Sequence, residues 1–306
     1  KHRFIYEGDR PKNLDRIPYA AWDLLESDPY GHNLLEDYIK VPVWGIAANN
    51  SSATPFTMKR SLTTVSSRGC PFACAFCYRG SQGERNYGMR SAEDIAIQIK
   101  EYVEKYDLDF IGFPDDNFAV DKRRINKMVN VFKEYGVDHI RWGTHTRMDE
   151  ADERLYDMSE SGCVYIGFGA ESADKQTLIN MNKGGFILKN GLVPTKVNGN
   201  TYDFPKTMMT AVETCAKAGI HANCTWIMAY PGEELKHLKT SSLLKSRTIS
   251  VHLSTGILIY TNCDILTFSC TSRCAMADPK MFMCAGGKGL THTPPGVGGC
   301  PQILVS

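Results

Sequence analysis

The stretch "LTTVSSRGCPFACAFC", residues 62–77, joins a short run of β-branched residues to three closely spaced cysteines. The run at 62–66 predicts a strand that leads directly into the loop carrying Cys70, Cys74 and Cys77. A strand is therefore followed directly by a cysteine loop, and the predictions of the fold and of the site both begin from this arrangement.

Strands and helices alternate along the chain after this stretch. Apolar or β-branched runs at 108–113, 139–145, 163–170 and 221–230 predict further strands, and 255–260 is a candidate sixth. Strands that alternate with helices favour a parallel sheet. We therefore expect an α/β fold, an incomplete TIM-like β/α barrel of about six strands with the cysteine loop after the first strand. In such barrels, functional groups gather at the carboxyl ends of the strands.

Capping residues mark two of the predicted helices. Ser91 precedes the periodic stretch "AEDIAIQIKEYVEKY". Asp94 lies three residues after Ser91, which is the spacing of a capping box. Gly136 follows the stretch "DKRRINKMVNVFKEY" and is typical of a helix C-terminus.

Three regions of the sequence differ in character. Residues 1–60 carry scattered prolines and aromatics and are interpreted as a packed linker from a missing upstream domain, because the chain begins with Lys1 rather than Met. Residues 61–240 hold the predicted barrel core, in which 184–205 is expected to be an inserted loop without strands. Residues 241–306 show neither helical nor strand period, and we interpret them as an irregular, aberrant tail.

Bulk composition excludes several classes of protein. The chain has 306 residues and a formal net charge of +1, which gives no global signal for nucleic-acid binding. No apolar run reaches the roughly 18 residues that span a bilayer. The 11 cysteines are too sparse for a small disulfide scaffold, so a reduced, cytoplasmic compartment is expected.

The spacing of the three cysteines bears on what they bind. A tetrahedral zinc site needs four ligands, and no fourth cysteine or histidine lies near Cys70, Cys74 and Cys77 in the sequence. Three thiolates on a cubane iron–sulfur cluster leave one iron open to a small molecule. The spacing favours an iron–sulfur cluster, with a zinc site or a structural cysteine loop as the alternatives.

The cysteine loop and four later segments together resemble a known family. The loop "SRGCPFACAFC" is similar to the cluster loop of radical S-adenosylmethionine enzymes, and its flanks are closest to the cobalamin-dependent branch. The resemblance extends over roughly residues 60–240, through "FPDDNFAVDKRR", "THTRMDEADERLYDMSESGCVYIGFGAES", "LINMNKGG" and "WIMAYPGEE" in the order that the family shows.

This resemblance implies a cofactor set. Cys70, Cys74 and Cys77 would ligate a 4Fe–4S cluster, and S-adenosylmethionine would chelate the open iron. Phe76 takes the position whose ring lies by the adenine, although a hydrophobic plug under the loop is an equal alternative. Cobalamin would bind only through a missing upstream domain, because the D-x-H-x-x-G pattern of its cobalt ligand does not occur in the chain.

Acidic residues at strand ends would hold the rest of S-adenosylmethionine. Asp115, Asp116 and Asn117 follow the second predicted strand, where the family binds the amino group, and an ammonium needs such acceptors. The alternative for this trio is an N-cap and loop anchor for the helix that begins near Asp121. Glu171 ends the fourth predicted strand and would bind ribose hydroxyls or the amino group.

Two further positions carry implied contacts. Arg147 closes the third predicted strand, and its guanidinium would bind the cofactor carboxylate or a substrate acid. A salt bridge to Asp149 or Asp152 is the alternative for Arg147. Ala229 stands where the family's fifth-strand motif has a glycine beside the adenine, and its methyl group would crowd that contact.

The resemblance implies an enzyme that cleaves S-adenosylmethionine reductively to a 5′-deoxyadenosyl radical acting on an unreactive C–H bond. Methyl transfer or ring cyclisation with cobalamin would belong to the full-length protein. A small-molecule substrate and an external donor similar to flavodoxin or ferredoxin would be the partners. The alternatives are a methylthiotransferase acting on transfer RNA and a non-catalytic, metal-binding remnant of the barrel.

Overall fold

A parallel sheet forms the centre of the computed structural model, which describes residues 11–40, 58–77 and 86–248 and the strand backbone at 253–260 and 265–270. The strands are β1 Ser61–Thr63, β2 Ser67–Arg68, β3 Gly88–Met89, β4 Phe110–Phe113, β5 Arg141–Arg147, β6 Cys163–Glu171, β7 Leu192–Val197, β8 Asn200–Pro205, β9 His221–Met228, β10 Leu253–Tyr260 and β11 Ile265–Cys270.

Helices separate most of these strands. They are α1 Leu34–Lys40, α2 Ala92–Tyr106, α3 Lys122–Glu134, α4 Arg154–Glu160, α5 Lys175–Asn180, α6 Gly184–Ile187, α7 Lys206–Ala218 and α8 Leu235–Thr248. Short 3-10 turns lie at Leu14–Arg16, Trp22–Leu25, Phe118–Val120 and Met148–Glu150. In the described part of the chain, none of the helices has the length and apolar character needed to cross a membrane.

The strand order confirms the predicted α/β barrel-like fold. The main sheet runs β1-β4-β5-β6-β9-β10-β11, and its first six strands are parallel, whereas β11 pairs antiparallel with β10. β1 and β11 lie at opposite edges, so the barrel is open among the described residues. The candidate sixth strand is confirmed as β10. The parallel arrangement brings the carboxyl ends of β1, β4, β5, β6 and β9 to one edge.

Local capping explains where the helices begin. The hydroxyl of Ser91 accepts a hydrogen bond from the backbone N–H of Asp94 at the start of α2, as predicted. Asp121 and Asp174 cap α3 and α5 in the same way. Gly136 follows α3 with φ 70°, a left-handed conformation that glycine adopts without strain.

The two faces of the sheet are packed differently. Trp142 on β5, Phe168 on β6 and Cys224 on β9 belong to the main hydrophobic core, which includes residues of the surrounding helices. Alternation along a strand puts their neighbours on the opposite face. On that face Tyr165 stacks on His221 with ring centroids 5.9 Å apart.

The N-terminal segment packs against the barrel through polar contacts. Arg60, just before β1, makes a two-point ion pair with Glu36 of α1, at 2.6 and 3.1 Å. The guanidinium of Arg90 lies 4.9 Å from the centre of the Tyr19 ring. These contacts show that residues 11–40 pack against the barrel, while 1–10 and 41–57 lie outside the described residues. The interpretation of residues 1–60 as a linker from an upstream domain stays a prediction.

The expectation of a strandless insertion at 184–205 is wrong. The segment contains α6 and an antiparallel hairpin of β7 and β8, with Val197 paired to Asn200. Asn198 and Gly199 form the two-residue turn with φ of 50° and 79°. An Asn-Gly pair favours this type of turn, and the Val, Thr, Tyr and Phe residues on both sides favour strands. The polar composition of the segment therefore concealed a hairpin.

The expectation of an irregular structure from residue 241 onward is also wrong in part. Helix α8 continues to Thr248, and β10 and β11 follow it. The hydroxyl of Ser241 accepts a hydrogen bond from the backbone N–H of Ala173 at 3.0 Å, and Leu244 is buried in the main core. Tertiary contacts thus stabilise a helix whose sequence has little apolar periodicity. Residues 271–306 lie outside the described part.

Substitution of Leu244 tests whether α8 belongs to the folded core. Leu244 is 3% exposed, so Leu244→Ala should lower the free energy of unfolding by about 2–5 kcal/mol through lost burial and a cavity. Leu235 of the same helix is 53% exposed, and Leu235→Ala should change the free energy of unfolding by less than about 0.5 kcal/mol. Urea denaturation followed by circular dichroism measures both values. Equal, small effects would show that α8 is not packed on the barrel.

Candidate cofactor site

The cysteine loop lies at the carboxyl-end edge of the sheet. Cys74 is buried, Cys70 is half-buried and Cys77 is exposed, and none forms a disulfide. The segment after α5 fastens this loop to the barrel. The backbone N–H of Ala75 donates to the carbonyl of Met181 at 2.9 Å, and the amide of Asn182 donates to the carbonyl of Ala73 at 2.7 Å.

The electrostatic surroundings of Cys74 favour its thiolate. The neighbouring Cys77 thiol, Lys183 and Arg147 lower the pKa of Cys74. The interaction with Cys74 and the partial desolvation of its sulfur raise the pKa of Cys77. Burial raises the pKa of Cys70. The cysteine loop therefore has two buried cations, Lys183 and Arg147, near Cys74.

These residues fit a cubane cluster. Cysteine thiolates are the usual ligands of iron–sulfur clusters, and nearby cations offset their negative charge. In the described ranges, no group of three or more His, Cys, Asp or Glu side chains is arranged to hold a single metal ion. Ligands of a cubane bind separate irons and do not need to converge on one point.

Asp115 binds the residues that lead into the cysteine loop, whereas Asp121 caps the next helix. The Asp115 carboxylate accepts hydrogen bonds from the backbone N–H of Ser66 at 2.9 Å and from the hydroxyls of Ser66 and Ser67, each at 2.6 Å. Arg124 reaches the same region, donating to the carbonyl of Ser66 at 3.1 Å. Burial raises the pKa of Asp115, so these donors compensate a carboxylate taken out of water.

Asp116 and Asn117 have different environments. Asp116 is exposed, and one of its oxygens accepts a hydrogen bond from the backbone N–H of Gly69 at 2.9 Å, directly before the first cysteine. Asn117 is buried, and its side chain bonds Thr146 at 2.7 Å and Glu150 at 3.3 Å. Asp116 therefore faces the cysteine loop, while Asn117 is engaged in a buried polar network.

Arg147 is enclosed at the end of β5. Its Nε donates to Oδ1 of Asp149 at 2.9 Å, and its Nη1 donates to the sulfur of Cys74 at 3.2 Å. The rings of Phe72 and Phe186 lie 4.0 and 5.3 Å from the guanidinium carbon. The salt bridge to Asp149, given above as the alternative, is formed.

Glu171 pairs with a lysine that the sequence analysis missed. Lys183 Nζ lies 2.9 Å from Oε1 of Glu171 and donates to the carbonyl of Gly169 at 2.6 Å. Lys183 is 3% exposed and lies 5.9 Å from the centre of the half-buried Phe76 ring. Glu171 has φ 64°, a left-handed conformation that is costly for a residue other than glycine. The only sequence signal for Lys183 is its place in the matching segment "LINMNKGG".

Ala229 also adopts a left-handed conformation, with φ 58°, directly after β9. The backbone N–H of the next residue, Tyr230, donates to the Glu233 carboxylate at 3.2 Å and closes the turn. The glycine of the family motif would fit this conformation without strain. The departure at Ala229 therefore affects the backbone as well as the space beside it.

Comparison with known proteins identifies the family. The sequence model of the Radical SAM superfamily matches residues 64–244, more than half of the chain. The chain belongs to the radical SAM superfamily. An uncharacterized methyltransferase of Pyrococcus horikoshii is 27% identical over 238 residues, covering 77% of this chain and 42% of that protein. Cytidylyl-2-hydroxyethylphosphonate methyltransferase of Streptomyces wedmorensis is 28% identical over 174 residues, covering 56% of this chain and 29% of that protein.

A solved structure shows the same fold. The radical S-adenosylmethionine methyltransferase TsrM from Kitasatospora setae, with cobalamin and a 4Fe–4S cluster bound, matches with a TM-score of 0.52 and 14% sequence identity. The match covers 66% of this radical SAM chain and 37% of TsrM. The chain thus spans less than half the length of each of these three proteins.

Replacing Ala229 with glycine tests the strain in the turn after β9. A left-handed alanine costs roughly 1–2 kcal/mol, and the greater freedom of glycine in the unfolded chain offsets about 0.4–1 kcal/mol. Ala229→Gly should therefore leave the free energy of unfolding unchanged or raise it by about 1 kcal/mol. The buried Ala222 of β9 is the control, because Ala222→Gly should destabilise the protein by roughly 0.5–1 kcal/mol or more. Equal losses in both variants would contradict strain at Ala229.

Proposed function

We propose that this chain is the cluster- and S-adenosylmethionine-binding unit of a radical SAM methyltransferase. The observation that carries the proposal is the Radical SAM match over residues 64–244, which includes the three cysteines and Arg147, whose Nη1 lies 3.2 Å from the sulfur of Cys74. The methyltransferase names of the Pyrococcus and Streptomyces relatives support the reaction class. When bound, the cluster supplies the electron that cleaves S-adenosylmethionine and so opens radical chemistry at an unreactive carbon.

In this proposal Cys70, Cys74 and Cys77 hold the cluster, and other side chains orient the cofactor. The exposed carboxylate of Asp116, beside the loop at Gly69, would accept the ammonium of S-adenosylmethionine. The ammonium group of Lys183 would receive the carboxylate of the cofactor. The half-buried ring of Phe76 would lie against the adenine.

The Lys183–Glu171 pair would orient S-adenosylmethionine in the site. A buried lysine beside a buried glutamate provides one positive and one negative group within 2.9 Å of each other. The lysine would face the carboxylate of the cofactor, and the glutamate would bind the ribose hydroxyls. The strained backbone of Glu171 supports a functional role, because such conformations cluster at ligand sites.

Cobalamin, the substrate and the electron donor belong to the wider proposal. Cobalamin-dependent methyl transfer would use parts of the protein outside this chain, and ring cyclisation is the second outcome of the same radical chemistry. We expect a small-molecule substrate and an external one-electron donor of the flavodoxin or ferredoxin type.

The cluster is tested by its metal content. Anaerobically reconstituted protein should be brown and contain about four irons per chain with matching sulfide. Cys70→Ala, Cys74→Ala and Cys77→Ala should each lose the colour and the iron. Cys163→Ala should keep both, because Cys163 is buried in the main core. Stoichiometric zinc without sulfide would overturn the proposal.

Cofactor binding is tested by removing both charges of the buried pair. The double variant Glu171→Gln with Lys183→Gln leaves no uncompensated buried charge, so it should fold and retain its iron. A charge-assisted hydrogen bond contributes about 1.5–3 kcal/mol, so affinity for S-adenosylmethionine should fall about ten- to a hundredfold. Anaerobic equilibrium dialysis measures this loss. Unchanged affinity in the iron-loaded double variant would make the pair structural.

5′-Methylthioadenosine, which lacks the amino-acid end, separates the two proposed contacts. A matching loss of affinity for this nucleoside would assign the pair to the ribose. A loss confined to S-adenosylmethionine would assign it to the carboxylate.

A further inference from the structure

Arg147 makes a contact that cofactor binding does not explain. Of its guanidinium nitrogens, Nη1 donates to the sulfur of Cys74 at 3.2 Å, while Nε and Nη2 each lie 2.9 Å from Oδ1 of Asp149. The side chains of Arg147 and Asp149 are 8% and 4% exposed. The guanidinium thus connects a buried carboxylate to one of the three cysteines proposed to hold the cluster.

Aromatic rings hold this guanidinium in place and exclude water from it. The Phe72 ring, on the cysteine loop between Cys70 and Cys74, lies 4.0 Å from the guanidinium carbon, and Phe186 of α6 lies 5.3 Å from it. The two rings pack edge to face with centroids 4.9 Å apart. An arginine between such faces gains cation–π attraction and remains charged at all accessible pH values.

We propose that Arg147 is a positioning residue that raises the reduction potential of the cluster through its N–H···S bond to Cys74. This inference rests on the proposed cluster. Hydrogen bonds to ligand sulfurs and the charge around a cluster set its potential. A fixed positive charge in a dry environment stabilises the more negative, one-electron-reduced state. One electron enters the cluster from the external reductant, and no proton or bond of Arg147 changes in the step.

Asp149 allows the direction of the shift in midpoint potential to be tested. The Asp149 carboxylate partly cancels the charge of Arg147. Removing the charge of Arg147 and removing the charge of Asp149 should therefore shift the midpoint potential in opposite directions. Arg147→Gln removes the positive charge and the bond to sulfur, and should lower the midpoint potential. Asp149→Asn leaves the guanidinium uncompensated and should raise it. Simple damage to the loop would not produce opposite shifts.

The experiment is a redox titration of the reconstituted full chain in the absence of S-adenosylmethionine. The electron paramagnetic resonance signal of the reduced cluster measures the extent of reduction at each potential. The matched control is Arg154→Gln. Arg154 is also buried and paired, with Nε 2.7 Å from Oδ1 of Asp152, and its Nη1 donates to the carbonyl of Ala119 instead of to a cysteine. The control should leave the midpoint potential at the wild-type value.

Arg147→Lys separates charge from geometry, because lysine keeps the charge and loses the planar fork. Its potential should lie between those of the wild type and Arg147→Gln. If Arg147→Gln fails to load iron, Asp149→Asn and Arg147→Lys still decide the question. Unchanged potentials in iron-loaded variants, or shifts of Arg147→Gln and Asp149→Asn in the same direction, would overturn the inference. Absence of iron from the wild-type protein would instead refute the proposed cluster.

Discussion

The cysteine loop depends on a buried carboxylate. Asp115 follows β4 and cannot remain ionised in the interior without donors, which it finds in the backbone and hydroxyl of Ser66 and the hydroxyl of Ser67. Ser66 and Ser67 lie three and two residues before Gly69, which precedes the first cysteine. Asp116 adds a bond to the backbone of Gly69 itself. The end of one strand therefore fixes where the loop after the neighbouring strand begins, and Met181 and Asn182 fix its later part.

Two buried ion pairs then define the electrostatics on either side of Cys74. Arg147–Asp149 approaches the sulfur directly, and Lys183–Glu171 lies under Phe76. Each pair is internally balanced, so the site carries little net charge while exposing the cysteines to two cations. Buried pairs of this kind are weak sources of stability but strong determinants of local field. A functional role accounts for their position better than a stabilising one.

Much of the fold was predictable because its signals are local. Ser91 marks the start of α2 through its own hydroxyl, and the apolar run ending at Glu171 is long enough to identify a buried strand. The hairpin of β7 and β8 has a local signal in Asn198 and Gly199, but the polar, proline-containing composition around it is equally typical of a loop. Helix α8 was missed for a different reason, because contacts of Ser241 and Leu244 stabilise it rather than its own periodicity.

The site was predictable from the sequence only for residues whose type alone indicates their chemistry. The spacing of Cys70, Cys74 and Cys77 favours a cluster site from residue type alone. Lys183 looks like a solvated lysine before two glycines, and only the carbonyl of Gly169 and the carboxylate of Glu171 reveal that it is buried. The role of Arg147 likewise depends on Phe72 and Asp149, which come from other parts of the chain or lie beyond the strand end.

The turn between α5 and α6, together with the start of α6, makes three separate contributions to the site within residues 182–186. Asn182 holds the carbonyl of Ala73 with its amide, Lys183 supplies an ammonium group, and Phe186 covers the guanidinium of Arg147. Asn182 itself has a left-handed φ of 53°, so the path of the chain here is tightly prescribed. A single inserted or deleted residue would displace an amide, a charge and a ring at once. Over evolutionary time, the length of this turn should consequently be far less free to vary than its surface composition.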